Sequence, residues 1–120
     1  MMPESAIVLV VEDEFLVRDM IAEELREAGF DVLEARDGEA ASDILNTGQR
    51  IDVLFTDIRL PGKLNGWEVA RLARRARTAL PVIYATGYTV DRTAEVPGAI
   101  FLNKPYEPSQ IVETIRKLLA

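Results

Sequence analysis

A chain of 120 residues with 48% hydrophobic and 28% charged side chains has enough apolar material for one packed domain and too much for a disordered one. It contains neither cysteine nor histidine, which excludes disulfides, thiolate or imidazole metal ligands, a Cys nucleophile, a His-based triad and a phosphohistidine of its own. The formal net charge of −6, concentrated in the N-terminal half, argues against wholesale nucleic-acid binding.

The segment Met1–Ser5 has no basic residue and no apolar h-region, so no signal peptide is expected. No apolar run approaches the roughly 18 residues of a membrane span. The expectation is a cytoplasmic protein that does not enter the membrane.

In chain order, Ile7–Val11 is an unbroken β-branched run that reads as a strand buried on both faces. Val17, Ile21, Leu25 and Ala28 then recur at helical spacing, and Gly29 supplies a stop. Asp31–Ala35 reads as a strand with polar edges, as an outer strand has. Asp37 is placed to cap a helix bearing Ala40, Ala41, Ile44 and Leu45, with Gly48 beyond its end. Val53–Thr56 reads as a strand. Asn65 caps the next helix, with Val69, Leu72, Ala73 and Ala76 on one face. Arg71, Arg74 and Arg75 fall on its other side, a solvated face, while Trp67 at the helix start suits either rim packing or a partner contact. Val82–Ala85 and Ile100–Leu102 read as further buried strands. Tyr88–Val96 has little periodicity, so a helix there is expected to be short or mobile. Pro108 suits the first turn of a last helix buried through Ile111, Ile115, Leu118 and Leu119. Strand alternating with helix predicts an α/β fold with a parallel, doubly wound sheet.

In an open parallel sheet, ligands bind beyond the carboxyl ends of the strands. The first strand ends in Glu12-Asp13, the third in Asp57, the fourth in Thr86-Gly87 and the fifth in Lys104-Pro105. Clustered carboxylates repel one another, so this rim favours a hard divalent ion with oxygen ligands, Mg²⁺ or Mn²⁺ in its place. Metal and Lys104 together then allow an anionic phosphoryl group. No glycine-rich turn follows the first strand, which excludes a dinucleotide fingerprint or P-loop. Taken singly, Asp57 is equally an ordinary strand end, Lys104 a lysine snorkelling over an apolar rim, and Thr86 a strand-end hydroxyl. Together they point to chemistry.

Glu12-Asp13, Asp57, Thr86 and Lys104-Pro105, in this order at strand ends, resemble a bacterial response-regulator receiver domain over essentially the whole chain, residues 1–120. The resemblance implies a flavodoxin-like (βα)5 fold with sheet order 2-1-3-4-5. It implies that Asp57 takes a phosphoryl group from a sensor histidine kinase or histidine phosphotransfer protein, assisted by Lys104 and Thr86. Mg²⁺ would rest on Asp13, Asp57 and the backbone carbonyl of Arg59, with Glu12 acting through a water or from behind. Arg59 and Tyr88 match positions that tune water access to the phosphoryl group, and Phe101 matches the family's switch aromatic. Tyr84-Ala85-Thr86-Gly87-Tyr88 resembles a subgroup marked by Phe-Ala-Thr-Gly followed by Tyr, whose members are often single-domain proteins with a short or mobile fourth helix. The loop between Asp57 and Gly66 is slightly longer than is usual in the family.

These features imply a single-domain phosphoacceptor, not an enzyme, acting as a monomer or weak dimer. It signals to a downstream protein target or serves as a phosphate intermediate or sink, without contact to nucleic acid or membrane. Partner docking is expected at the first helix (Phe15, Leu16, Arg18), and output at the last strand and its flanking helices. Two other readings fit the same composition. One is a small Mg²⁺-dependent phosphohydrolase with an Asp nucleophile, although that chemistry prefers Asp-x-Asp where this chain has Glu12-Asp13-Glu14. The other is an unphosphorylated interaction module on the same fold.

Overall fold

The β-branched runs become strands and the periodic segments become helices, in strict alternation through most of the chain. The computed structural model describes residues 5–87 and 94–120. In chain order its elements are β1 (Ile7–Val11), α1 (Phe15–Glu27), β2 (Asp31–Ala35), α2 (Gly38–Asn46), β3 (Val53–Asp57), α3 (Gly66–Ala76), β4 (Val82–Thr86), β5 (Ile100–Asn103) and α4 (Pro108–Leu119). All strand pairs are parallel, in the order β2-β1-β3-β4-β5. The stretch expected to hold a short or mobile helix before β5 lies largely outside the described residues, as does Tyr88.

Strand alternation sends successive side chains to opposite faces. Leu9, Val11, Leu54, Val82 and Tyr84 meet Ala41 and Leu45 of α2 and Val69, Ala70 and Ala73 of α3. Val8, Val10, Val53, Phe55, Ile83 and Ala85 meet Ile21 and Leu25 of α1 and Ile111, Val112 and Ile115 of α4. Two cores on one sheet make the fold doubly wound.

The caps act locally as the sequence indicates. Asp37 accepts from the Ala40 N–H at 2.7 Å, and Asn65 and Glu68 form a reciprocal capping box. Gly29 and Gly48 sit just beyond α1 and α2 at φ 98° and 74°, a left-handed conformation that costs glycine little.

Three expectations are corrected. β5 is only half-buried, because among the described residues it is the edge strand of the sheet. In α3 Val69 and Ala73 are buried as expected and Ala70 joins them, whereas Ala76 is exposed at the last turn. In α4 Val112 is buried and Leu119, at the helix end, is 40% exposed.

Candidate functional site

Parallel pairing in register aligns the strand ends on one rim. Val11 pairs with Thr56, Asp57 with Ala85, and Thr86 with Asn103. The next residues along β1 and β5 are therefore Glu12 and Lys104. The Glu12 N–H donates to Ala35 O at 3.0 Å, and the Lys104 N–H to Thr86 O at 2.8 Å, so both leave the sheet on paired backbone.

The side chains converge. One oxygen each from Glu12, Asp13 and Asp57 lie within 4.8 Å of one another. Lys104 Nζ is 3.1 Å from Asp57 Oδ1 and 4.0 Å from Glu12 Oε1. Glu12 and Asp57 are only 1% and 3% exposed, while Asp13 faces solvent. Thr86 is buried and, with Asp57, Arg59, Ala85, Gly87 and Lys104, lines a recess of about 30 Å³ beside the cluster. Nucleophile-type, metal-type and charge-offsetting groups thus share one small mouth.

A model of the response regulator receiver domain matches residues 8–116. The chain belongs to this family. As a receiver domain it superposes on the crystal structure of a response regulator receiver protein from Sinorhizobium medicae with a TM-score of 0.91. The two are 31% identical, over 97% of this chain and 95% of that one. It is 32% identical over 114 residues to the sensory transduction protein LytT of Bacillus subtilis, covering 92% of this chain and 46% of LytT. It is 34% identical over 116 residues to the aerobic respiration control protein ArcA of Escherichia coli, covering 94% of this chain and 48% of ArcA. The receiver domain therefore spans about half the length of these relatives. Receiver domains of two-component response regulators are phosphoacceptors served by histidine kinases or phosphotransfer proteins, and they bind Mg²⁺ at an acidic pocket.

The residues of this receiver domain suit such an ion. Asp57 Oδ1 is buried, and Lys104 Nζ meets it as an ion pair at 3.1 Å. Glu12 is pushed up to about 8 by burial, then by the closeness and charge of the Asp57 carboxylate. The Glu14 N–H, which donates to Glu12 Oε2 at 2.9 Å, and Lys104 pull it only part of the way back. One ammonium does not offset three acids, and an oxygen-seeking divalent cation would. Burial works against the charge on Lys104, but Asp57, Glu12 and Glu14 outweigh it and move its pKa up.

The remaining sequence-predicted residues are placed as follows. Arg59 is exposed and borders the recess. Phe101 packs at 5.1 Å from Tyr84 and 5.9 Å from Trp67, so the half-buried Trp67 belongs to a ring cluster at the edge of the core. Phe15 and Leu16 are 63% and 73% exposed on α1, as a docking face requires. Arg18 departs from that expectation. Its side chain, 13% exposed, turns inward to Glu34 and to the Glu12 carbonyl.

The arginine face of α3 is also more than solvated. Arg74 donates to Leu80 O at 2.7 Å and Pro97 O at 2.9 Å, and Arg71 to Ala94 O at 3.2 Å. These carbonyls become neighbours only once β4 and β5 lie beside α3.

Two residues bearing on the site escaped the sequence reading. Gly66 opens α3 so close to β3 that an added Cβ would lie 2.1 Å from Asp57 O. The signal was Asn-Gly at a helix start, a position that rarely asks for glycine. Tyr106 packs edge-on to Phe55 at 5.9 Å with its hydroxyl buried and unpaired among the described residues, and burial next to Asp57, Glu12 and Glu14 pushes that hydroxyl's pKa up. No sequence signal separates it from an ordinary core aromatic.

Proposed function

We propose that residues 1–120 form a receiver domain that accepts a phosphoryl group on Asp57 from a phosphohistidine of a histidine kinase or phosphotransfer protein. The observation that carries this reading is the meeting of Asp57 with Lys104 at 3.1 Å inside a cluster completed by Glu12 and Asp13.

An Asp57 carboxylate oxygen attacks phosphorus, the P–N bond breaks, and the leaving imidazole of the partner takes up a proton from solvent. The product on this chain is an acyl phosphate. Lys104 offsets charge on the phosphoryl oxygens, and the Thr86 hydroxyl donates to one of them after transfer. Asp13, Asp57 and the Arg59 carbonyl would hold Mg²⁺ (or Mn²⁺), with Glu12 acting through a water. When bound, the ion supplies positive charge to the transferring oxygens. The packing of Phe101 against Tyr84 then passes the altered position of Thr86 toward β5 and its flanking helices, where a downstream protein binds. Arg59 and Tyr88 regulate water access to the acyl phosphate. Kinase docking uses the exposed Phe15 and Leu16. On this reading the domain is a phosphoacceptor and not an enzyme that turns over substrate, works in the cytoplasm, and is a monomer or weak dimer.

Incubation with acetyl phosphate and Mg²⁺ should add about 80 Da, one phosphoryl group, to the intact mass. Asp57→Asn should abolish the gain. Sustained release of phosphate from a small ester would instead favour a phosphohydrolase, and no modification at all an interaction module.

A further inference from the structure

The backbone of Glu12 is held at both of its polar atoms, the N–H from β2 and the carbonyl from α1. Its N–H donates to Ala35 O at 3.0 Å, and its carbonyl accepts from Arg18 Nη1 at 2.9 Å. Arg18 is in turn fixed by Glu34, with Nε 3.3 Å from Oε1, while the other oxygen of Glu34 takes Arg26 at 3.2 Å. Glu34 lies opposite Val10 in the sheet, one residue before Ala35. The Phe15 ring covers the guanidinium at 5.5 Å.

A guanidinium donates along several fixed directions in one plane, so Arg18 can bridge a β2 carboxylate and a β1-end carbonyl at once. The atoms of a peptide unit are coplanar. Fixing the Glu12 carbonyl therefore also fixes the nitrogen and Cα of Asp13, the solvent-facing acid of the cluster.

We propose that Arg18 is a positioning residue that sets the Glu12–Asp13 turn for divalent-cation binding. This rests on the reading of Glu12, Asp13 and Asp57 as the cation site. Two effects of Arg18 have opposite sign, which makes the role measurable. As a nearby positive charge, Arg18 opposes a cation, and removing it should tighten binding. As a clamp on the turn, it favours the cation, and removing it should loosen binding.

The test is an amide-shift titration with MgCl₂ on the whole chain, comparing the parent with Arg18→Met and Arg18→Lys. The expected result is affinity about tenfold weaker in Arg18→Met, the range in which partners behind metal ligands act, and an intermediate loss in Arg18→Lys. The lysine keeps the charge and loses the fork. Tighter binding in Arg18→Met would show a charge effect alone and overturn the proposal. Unchanged affinity in both variants, whatever their thermal stability, would show support of the fold alone and overturn it equally. If Arg18→Met does not fold, Arg18→Lys decides by the same criterion. A parent protein whose site amides do not respond to Mg²⁺ would overturn the cation-site reading and the proposal together.

Discussion

Glu12 sits where burial and a neighbouring carboxylate both favour its protonated form. Its pKa is about 8 when folded against an ordinary 4.5, so the native state binds the proton more tightly than the unfolded chain. The resulting stabilisation is complete below pH 4.5 and is lost as pH rises toward 8. In metal-free protein, thermal unfolding of Glu12→Gln should match the parent near pH 5 and exceed it increasingly toward pH 8. A difference independent of pH would contradict this. Glu12, Asp13, Asp57 and Lys104 were legible as a cluster because each ends a strand, and a parallel sheet gathers strand ends. The inward turn of Arg18 was not, because its partner Glu34 lies 16 residues away on the neighbouring strand. Only the sheet order brings the two together.

At the scale of elements, α3 is seated on the chain that carries the candidate phosphoacceptor. The Gly66 N–H donates to Ile58 O at 2.7 Å, and the helix then runs past the Trp67–Tyr84 contact at 4.7 Å to the Arg71 and Arg74 straps. Gly66→Ala places a methyl group against backbone that has no rotamer to yield. Overpacking of this kind should cost about 2–3 kcal/mol, read as a lower denaturant midpoint with unchanged m-value. Stability equal to the parent would show that α3 moves freely from β3. The capping residues Asp37 and Asn65 were readable because a cap acts within its own turn. The arginine straps were not, because their acceptors are carbonyls, which every residue carries.

On the whole molecule, alternation of strand and helix was enough to predict a parallel doubly wound sheet. Its order came from resemblance, since periodicity does not say which strands are neighbours. The half-burial of β5 follows from that order and not from its composition, which matches the inner strands. Among the described residues no helix is long and apolar enough to cross a membrane. The two cores fix the sheet from both sides, and the mouth they leave at the carboxyl edge gathers three acids and one lysine. The most direct test of that mouth as a phosphoacceptor is peptide mapping after treatment with acetyl phosphate, with and without Mg²⁺. The predicted result is a phosphoryl group on the peptide containing Asp57, formed only with the divalent ion. Phosphoryl on any other peptide, or equal modification without the ion, would contradict it.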